Sequence, residues 1–184
     1  MFDKTGTPEV QGFPVLLDSN EVNNFQPPSL LILGTAPSVK SIKNQQYYAH
    51  PQNAFWWIMG QLFDFDESLP YSTRQQCLNK KGIVVWDVLA SCERTGSLDS
   101  AIQSHTEVAN DIPRFLNQYP AIRTIVCNGQ KSRQLLAKHH PCLFEDEFTI
   151  LVMPSTSPAF AAMDKYEKLA KWIAIKPFMN QSEY

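Results

Sequence analysis

Four continuous apolar runs constrain what this chain can fold into. They span residues 29–33, 83–88, 122–127 and 148–153, and helical patterns separate them. Continuous apolar runs are typical of strands that are buried on both faces, as parallel strands are. Strands alternating with helices predict a parallel sheet covered on both faces, and right-handed crossovers bring the loops after the strands to one edge. We therefore expect an α/β fold with a four-stranded parallel sheet and a ligand site at that edge.

The 184 residues are expected to form one domain, with residues 1–28 as an irregular N-terminal extension packed on it. Pro8, Gly12 and Pro14 would interrupt any long element in that extension. A hydrophobic fraction of 43% against 18% charged residues is typical of a globular chain rather than a disordered one. No apolar run reaches the roughly 18 residues of a membrane span, and the N-terminus lacks the layout of a signal peptide. We therefore expect a soluble cytoplasmic protein with no membrane partner.

Two kinds of site are disfavoured by the residues that would have to build them. The four cysteines are scattered without a CxxC pair, and the four histidines add no metal-ligand spacing around them. We therefore predict reduced thiols and no metal site. The formal net charge of −2 argues against a protein that coats nucleic acid, although it allows an enzyme that grips a few phosphates locally.

Residues 47–57, soon after the first apolar run, gather five aromatic rings, one histidine and two carboxamides. Pro51 biases His50 away from helical geometry, so the first pair of rings is expected on a loop. Asn53 can cap a helix that begins just after it. Flat rings beside a positioned amide suit a planar ligand such as a nucleobase, whereas the same rings could plug the edge of a hydrophobic core. Both interpretations stay open on this segment alone.

The turns after the strands place more polar groups at the same edge. Gly34 permits close backbone approach, but its turn lacks the GxGxxG and GxxxxGK[ST] layouts of dinucleotide and P-loop sites. Ser38 could bind a phosphate or only cap a turn. Residues 89–102 are expected to be a polar loop after the second strand. An Asn-Gly turn after the third strand leads into a basic helix over residues 130–139.

Read together, these loops resemble the uracil-DNA glycosylase superfamily, and most closely its hypoxanthine-DNA (deoxyinosine) glycosylase branch. The matching segments are GTAPS at 34–38, YYAHPQNAFW at 47–56, WDVLASC at 86–92, GSLD at 96–99, CNG at 127–129 and PSTSPA at 154–159. The resemblance extends from about residue 30 to residue 172. The YYxHPxNxFW and PSTSPA segments are highly specific to this family.

The resemblance implies a three-layer α/β/α sandwich around a four-stranded parallel sheet. It implies hydrolysis of the N-glycosidic bond of a deaminated base in double-stranded or single-stranded DNA, with hypoxanthine as first substrate and uracil or another base as alternative. Such an enzyme flips the base out of the stack, needs no metal or organic cofactor, and is expected to act as a monomer. Many members carry a catalytic Asp or Asn just after the first strand, where this chain has Thr35, Pro37 and Ser38. A non-catalytic nucleic-acid-binding or nucleobase-binding module of the same fold therefore stays open.

The resemblance assigns catalysis to Asn53, which can orient a water at the anomeric carbon or hydrogen-bond the base edge. His50 could carry a proton, hold a phosphate or make a structural hydrogen bond. Tyr47 or Phe55 is the candidate ring under the flipped base, although Phe55 also suits the buried face of its helix. The predicted base pocket is completed by Gly34, Thr35 and Asn128. Packing is the expected role of Tyr48, Trp56 and Trp57.

The last polar loop is the predicted contact with the DNA backbone. Ser155, Thr156 and Ser157 are expected to bind phosphates with Ser38, because their loop is expected to open a helix whose first N–H groups are free. Phe160 is expected to wedge into the gap left by the flipped base, or else to begin the core face of the last helix. Members with the strongest uracil activity carry a histidine in this loop, and its absence here lowers the expected excision of uracil.

Overall fold

The computed structural model describes residues 8–15, 17, 26–145 and 148–179. Its strands are β1 (Glu9–Gln11), β2 (Leu30–Gly34), β3 (Ile83–Asp87), β4 (Leu89–Glu93), β5 (Val108–Ala109), β6 (Thr124–Asn128) and β7 (Thr149–Met153). Its α-helices are α1 (Val39–Asn44), α2 (Phe55–Phe63), α3 (Tyr71–Lys80), α4 (Ile112–Gln118), α5 (Gln130–His139) and α6 (Lys165–Trp172). Short 3₁₀ helices cover Asp99–Ala101, Ser104–Thr106, Pro141–Phe144 and Ile173–Phe178. Within these ranges, no helix is long and apolar enough to cross a membrane.

The four predicted strands form one parallel sheet. Their order is β3-β2-β6-β7, so that β2 lies between β3 and β6. All five residues of β2 are buried, and so are all five of β6. Burial on both faces explains why these runs are continuously apolar rather than alternating.

Helices cover both faces of this sheet. One face packs against α2, α3 and α6 through a core that includes Leu30, Ile32 and Trp172. The other face packs against α4, α5 and a second, smaller sheet through a core that includes Leu31 and Leu33. Alternate residues of β2 therefore belong to different cores, as the pleat of a strand requires. The predicted three-layer α/β/α sandwich is confirmed.

A second sheet, which the sequence analysis did not predict, is formed by the antiparallel strands β1, β4 and β5. Residues 89–93, expected in a polar loop, are β4, and residues 9–11, expected in an irregular extension, are β1. Only Val88 separates β3 from β4, so no turn sequence marks the change of sheet. An irregularity in the β4–β5 pairing also removes the two-residue period of burial by which a strand is recognised. Residues 18–25 of the predicted extension lie outside the described residues.

Three neighbouring strands end at the same level. Gly34 pairs in register with Asp87, and Leu33 pairs with Cys127, so that Asn128 follows beside Gly34. Parallel strands place their following loops at their carboxyl ends, and here those loops meet as predicted. The last residues of β2, β3 and β6 therefore form a common surface beneath the loops.

Candidate nucleobase pocket

A pocket of about 360 Å³ opens at the carboxyl edge of the parallel sheet. Its floor is formed by Gly34, Asp87 and Asn128, the residues that end β2, β3 and β6. Ten of the predicted site residues line it: Gly34, Thr35, Ser38, Tyr47, Asn53, Asn128, Ser155, Thr156, Ser157 and Phe160. His50 and Phe55, which were also predicted, do not line it.

Gly34 is the point of closest approach in the floor. A Cβ atom at this position would overlap the Oδ1 atom of Asp87 and would lie 3.1 Å from the Oη atom of Tyr48. Only glycine therefore leaves room here for the Asp87 carboxyl group and the Tyr48 hydroxyl.

Tyr48, expected only to pack, presents its ring to the pocket. Its φ of 55° lies in the left-handed region, which a bulky residue adopts only when the surroundings enforce it. The ring stacks on Phe55 with centroids 4.0 Å apart and planes 23° apart. Phe55 is fully buried, so it supports the ring that faces the pocket instead of facing the pocket itself. A positive φ is invisible to residue spacing, and the sequence analysis therefore had no signal for this arrangement.

Tyr47 forms part of the wall and is fixed from behind. It is 4% exposed, and its hydroxyl donates to the carbonyl oxygen of Pro14 at 3.1 Å. The ring of Phe13 meets the Tyr47 ring edge-on with centroids 5.3 Å apart. The residues just before the parallel sheet thus buttress this side of the pocket.

Asn53 lines the pocket and also binds the first residue of α2, although the N-cap of that helix is Ala54 and not, as predicted, Asn53. Its Oδ1 atom accepts a hydrogen bond from the backbone N–H of Phe55 at 3.0 Å. Among the described residues, no group accepts from its amide nitrogen. This bond takes one lone pair of Asn53 and leaves the amide N–H groups available to a ligand.

His50 serves the turn that precedes α2. Its Nδ1 atom accepts from the backbone N–H of Gln52 at 3.2 Å, and its carbonyl oxygen accepts from the backbone N–H of Asn53 at 2.8 Å. Of the alternatives that the sequence left open for His50, the structure shows the structural hydrogen bond.

Asn128 and Thr156 join the floor to the last loop. The Oδ1 atom of Asn128 accepts from the Thr156 backbone N–H, and its Nδ2 atom donates to the Thr156 hydroxyl, both at 2.9 Å. The Thr156 carbonyl oxygen in turn accepts from the backbone N–H of Ala54 at 3.0 Å. Half of the hydrogen-bonding capacity of the Asn128 side chain is thus used within the protein, which limits what this side chain can offer to a base.

The last loop does not open a helix, which corrects the expectation for its phosphate contacts. Helix α6 begins only at Lys165, after a capping box in which Asp164 accepts from the backbone N–H of Glu167 at 2.8 Å. Pro158 and a series of turns separate the serines from that helix. Within the loop, the Ser155 hydroxyl accepts from the backbone N–H of Ser157 at 3.2 Å. The hydroxyl hydrogens, rather than free helix N–H groups, therefore remain available to a phosphate.

Ser38 and Phe160 are the first and the last residue, in sequence, of the predicted DNA-contact set. Ser38 is the N-cap of α1, and its Oγ atom accepts from the backbone N–H of Ser41 at 3.1 Å. Phe160 is partly exposed, and the ammonium group of Lys168 lies 5.5 Å from its ring centroid. Lys168 also donates to the Ser157 carbonyl oxygen at 3.0 Å, which fixes the loop that carries Phe160.

Arg94 fastens two of the loops around the pocket. Its side chain is fully buried, and its guanidinium donates to the carbonyl oxygen of Pro37 at 2.6 Å and to that of Gly96 at 3.1 Å. It also forms an ion pair with Asp99 at 3.4 Å. Burial raises the pKa of Asp99, while a hydrogen bond from Thr35 and the charge of Arg94 oppose that rise. The sequence analysis did not single out Arg94 or Asp99, because an exposed polar loop was expected there.

Asp87 is a buried carboxyl group at the floor of the pocket. It is 3% exposed, and its Oδ2 atom has no hydrogen-bond partner among the described residues. The pKa of Asp87 is raised from its ordinary value of 3.8 to about 7, mainly by burial and also by the charge of the nearby Asp99, while Arg94 opposes the rise. The available sequence signal was an acidic residue at the end of a buried apolar strand, a position where an unpaired charge is costly.

The raised pKa of Asp87 predicts how stability depends on pH. The folded protein binds this proton more tightly than the unfolded chain, so the protonated Asp87 carboxyl contributes to the free energy of unfolding. This contribution is fully present below about pH 4 and is lost as pH rises towards 7. An Asp87→Asn variant lacks this loss. We expect the free energy of unfolding of the variant, relative to that of the parent, to rise by on the order of 4 kcal/mol over that interval.

Urea denaturation of both proteins at several pH values between 4 and 8 measures this difference. A gap between parent and variant that stays constant across the interval would show that Asp87 ionises normally in the folded protein.

Comparisons with known proteins show the family of the chain. Residues 22–176 match the family model described as the uracil DNA glycosylase superfamily. The chain is 32% identical over 166 residues to a protein of Methanosarcina acetivorans named hypoxanthine DNA glycosylase, covering 90% of this chain and 96% of that protein. A protein of the same name from Methanosarcina barkeri is 31% identical over 150 residues, covering 81% of this chain and 87% of the relative.

A solved structure resembles the fold as well. It is a solution NMR structure of a Methanosarcina acetivorans protein that carries the provisional name uracil DNA glycosylase. It superimposes with a TM-score of 0.71 at 30% identity, and the match covers 92% of this chain and 99% of that one. The resemblance seen in the sequence motifs is confirmed, and the chain belongs to the uracil-DNA glycosylase superfamily.

Proposed function

We propose that this protein is a DNA glycosylase that flips a deaminated base, first of all hypoxanthine, out of DNA and hydrolyses its N-glycosidic bond. The observation that carries the proposal is the pocket itself, in which a stacked aromatic pair stands beside a polar floor. Flipping a base costs its stacking and pairing, and a pocket of this kind replaces both. The names of the Methanosarcina relatives support hypoxanthine as the base.

Tyr48 is the ring on which the flipped base stacks in this proposal. It faces the pocket, whereas Phe55 lies behind it with no exposed surface. Stacking of a base on an aromatic ring contributes about 1–3 kcal/mol. The contact with Phe55 and the left-handed backbone of Tyr48 hold the ring in place before DNA binds. Little side-chain entropy is therefore lost on binding.

Asn53 positions the attacking water and stabilises the transition state. Cleavage builds positive charge on the sugar and negative charge on the departing base. A neutral carboxamide is not a base at neutral pH, so its contribution is orientation and electrostatic stabilisation. The bond from the Phe55 backbone N–H holds the Oδ1 atom, and the amide N–H groups of this pocket-lining residue stay available to the ligand.

The proposed DNA surface surrounds the mouth of the pocket. A groove of about 590 Å³ adjoins the pocket and shares Ser155 and Phe160 with it, and Lys131 and Lys171 line that groove. Lysines beside serine hydroxyls suit phosphates that flank a flipped nucleotide. Phe160 is the proposed wedge, and Leu98, which also lines the pocket, is 56% exposed and offers a second apolar side chain. All of these residues belong to one chain, so we propose that the protein acts as a monomer, in the cytoplasm.

A single-turnover assay on duplexes that contain one hypoxanthine, uracil or xanthine tests the function. We expect abasic product fastest from hypoxanthine and slower from uracil, because the last loop lacks the histidine that supports uracil excision. Matched undamaged duplexes serve as controls. Binding to the damaged duplexes without abasic product from any of them would instead establish a non-catalytic binding module.

Replacing Asn53 separates catalysis from helix capping. The Asn53→Ala variant is expected to lower the single-turnover rate on hypoxanthine by about 10²–10³-fold, the range seen when a stabilising donor is removed from an active site. An Asn53→Ser variant keeps a capping oxygen and should retain the stability of the parent while excising as slowly as the alanine variant. Excision by the serine variant at the parent's rate would remove the amide from the mechanism.

Replacing Tyr48 tests the stacking surface. A Tyr48→Leu variant is expected to bind hypoxanthine-containing DNA about 5–150-fold more weakly, which corresponds to the loss of one base–ring stack. The Tyr48→Phe variant keeps the ring and should retain most of this affinity. Equal affinities for the leucine variant and the parent in equilibrium titrations would show that the base does not rest on Tyr48.

A further inference from the structure

The floor of the pocket holds polar atoms that the protein itself leaves unpaired. Among the described residues, three buried side-chain atoms have no hydrogen-bond partner: Ser29 Oγ, Tyr48 Oη and Asp87 Oδ2. Two of the three belong to residues that line the pocket. Buried polar atoms in native structures are nearly always paired, so two exceptions side by side call for a ligand that supplies the partner.

Building on the proposed function, we infer that Asp87 is a further catalytic residue of this site. In its protonated form, the Asp87 carboxyl donates a proton to a ring nitrogen of the departing purine. Tyr48 contributes the ring on which that purine lies, and its hydroxyl stands beside the same carboxyl group.

The geometry places the Asp87 carboxyl group in the floor of the pocket. Strand register fixes Asp87 beside Gly34, and the space next to Gly34 is bounded by Asp87 Oδ1 and, at 3.1 Å, by Tyr48 Oη. The backbone carbonyl of Asp87 accepts from the Asn110 amide at 2.9 Å, which anchors the strand end and leaves the carboxyl group out of that bond. Asn128, the other floor residue, is already engaged with Thr156. Asp87 is therefore the floor residue with the most hydrogen-bonding capacity left.

The groups that face Asp87 keep its proton available near neutral pH. Asp99 opposes ionisation through its like charge, and Arg94 favours it, although the Arg94 guanidinium is bonded to backbone carbonyls and to Asp99. The other titratable groups that sense the Asp87 charge are the phenols of Tyr47, Tyr48 and Tyr71 and the thiol of Cys92. Burial raises the pKa of Tyr48, and although Asn128 opposes that rise, no well-formed hydrogen bond joins the two side chains. A carboxyl group whose pKa is about 7 is suited to give up a proton at neutral pH.

Proton donation completes the chemistry that Asn53 cannot supply. The bond between the anomeric carbon and the base nitrogen breaks, and its electron pair goes to the base. The Asp87 proton passes to a ring nitrogen of the purine, so that the base leaves neutral. The oxygen of the attacking water bonds to the anomeric carbon, its surplus proton goes to solvent, and solvent reprotonates Asp87. Uracil offers carbonyl oxygens but no unsubstituted ring nitrogen that accepts a proton, so this acid favours purines.

A pH profile of single-turnover excision from a hypoxanthine duplex, with protein in excess, tests the inference. The parent rate should fall about tenfold per pH unit above pH 7, because only the protonated carboxyl acts. An Asp87→Asn variant keeps the shape of the side chain but has no acidic proton. Its rate at pH 6.5 should be about 10²–10⁴-fold lower, and the falling limb should be absent.

An Asp99→Asn variant provides the matched control. Removing the like charge should move the falling limb of the parent to lower pH, a shift that a merely structural role of Asp87 would not produce.

An Asp87→Asn variant that excises at the parent's rate, or that keeps the falling limb, overturns the inference. So does a parent rate that rises with pH through 7, since the ionised carboxylate would then be the active form. A parent that yields no abasic product at any pH defeats the proposed function instead.

Discussion

The register between three neighbouring parallel strands is the constraint on which the site depends. Because β2 pairs with both β3 and β6, the residues Gly34, Asp87 and Asn128 end their strands side by side. A slip of one residue in β3 would turn the Asp87 side chain to the opposite face of the sheet. The apolar cores on both faces prevent that slip, since it would expose the buried residues of β3 as well.

The polar groups around the pocket fall into two sets. One set is satisfied within the protein: Asn128 binds Thr156, the serine hydroxyls bind loop N–H groups, and Arg94 joins two loops. These bonds fix the walls before DNA arrives, which is how an enzyme avoids reorganising during the reaction. The other set has no partner among the described residues: Asp87 Oδ2, Tyr48 Oη and the amide N–H groups of Asn53. Rigid walls around unsatisfied polar atoms describe a site that is prepared for one kind of molecule.

The sequence predicted the parts of this structure that depend on burial pattern. The four parallel strands, the cover on both faces and the common edge of the loops followed from apolar runs and their spacing, and the family resemblance implied the three-layer sandwich. The sequence did not predict that Tyr48, rather than Phe55, faces the pocket. This arrangement depends on a positive φ at Tyr48, which no residue pattern reports. Asp87 was passed over because its unusual environment arises from residues distant in sequence, such as Asp99 and Arg94. Strand β4 was taken for a loop because it continues β3 after one residue and pairs irregularly.

The segment before the parallel sheet defines where the folded unit begins. The carbonyl oxygen of Phe13 accepts from the Trp86 indole N–H at 3.1 Å, and that of Pro14 accepts from the Tyr47 hydroxyl. Both bonds reach residues adjacent to the pocket, yet the match to the family model starts only at residue 22. A chain trimmed to the family boundaries would therefore keep every recognisable motif and lose the backing of the pocket wall. Domain boundaries drawn from motif matches alone would remove residues that support the pocket.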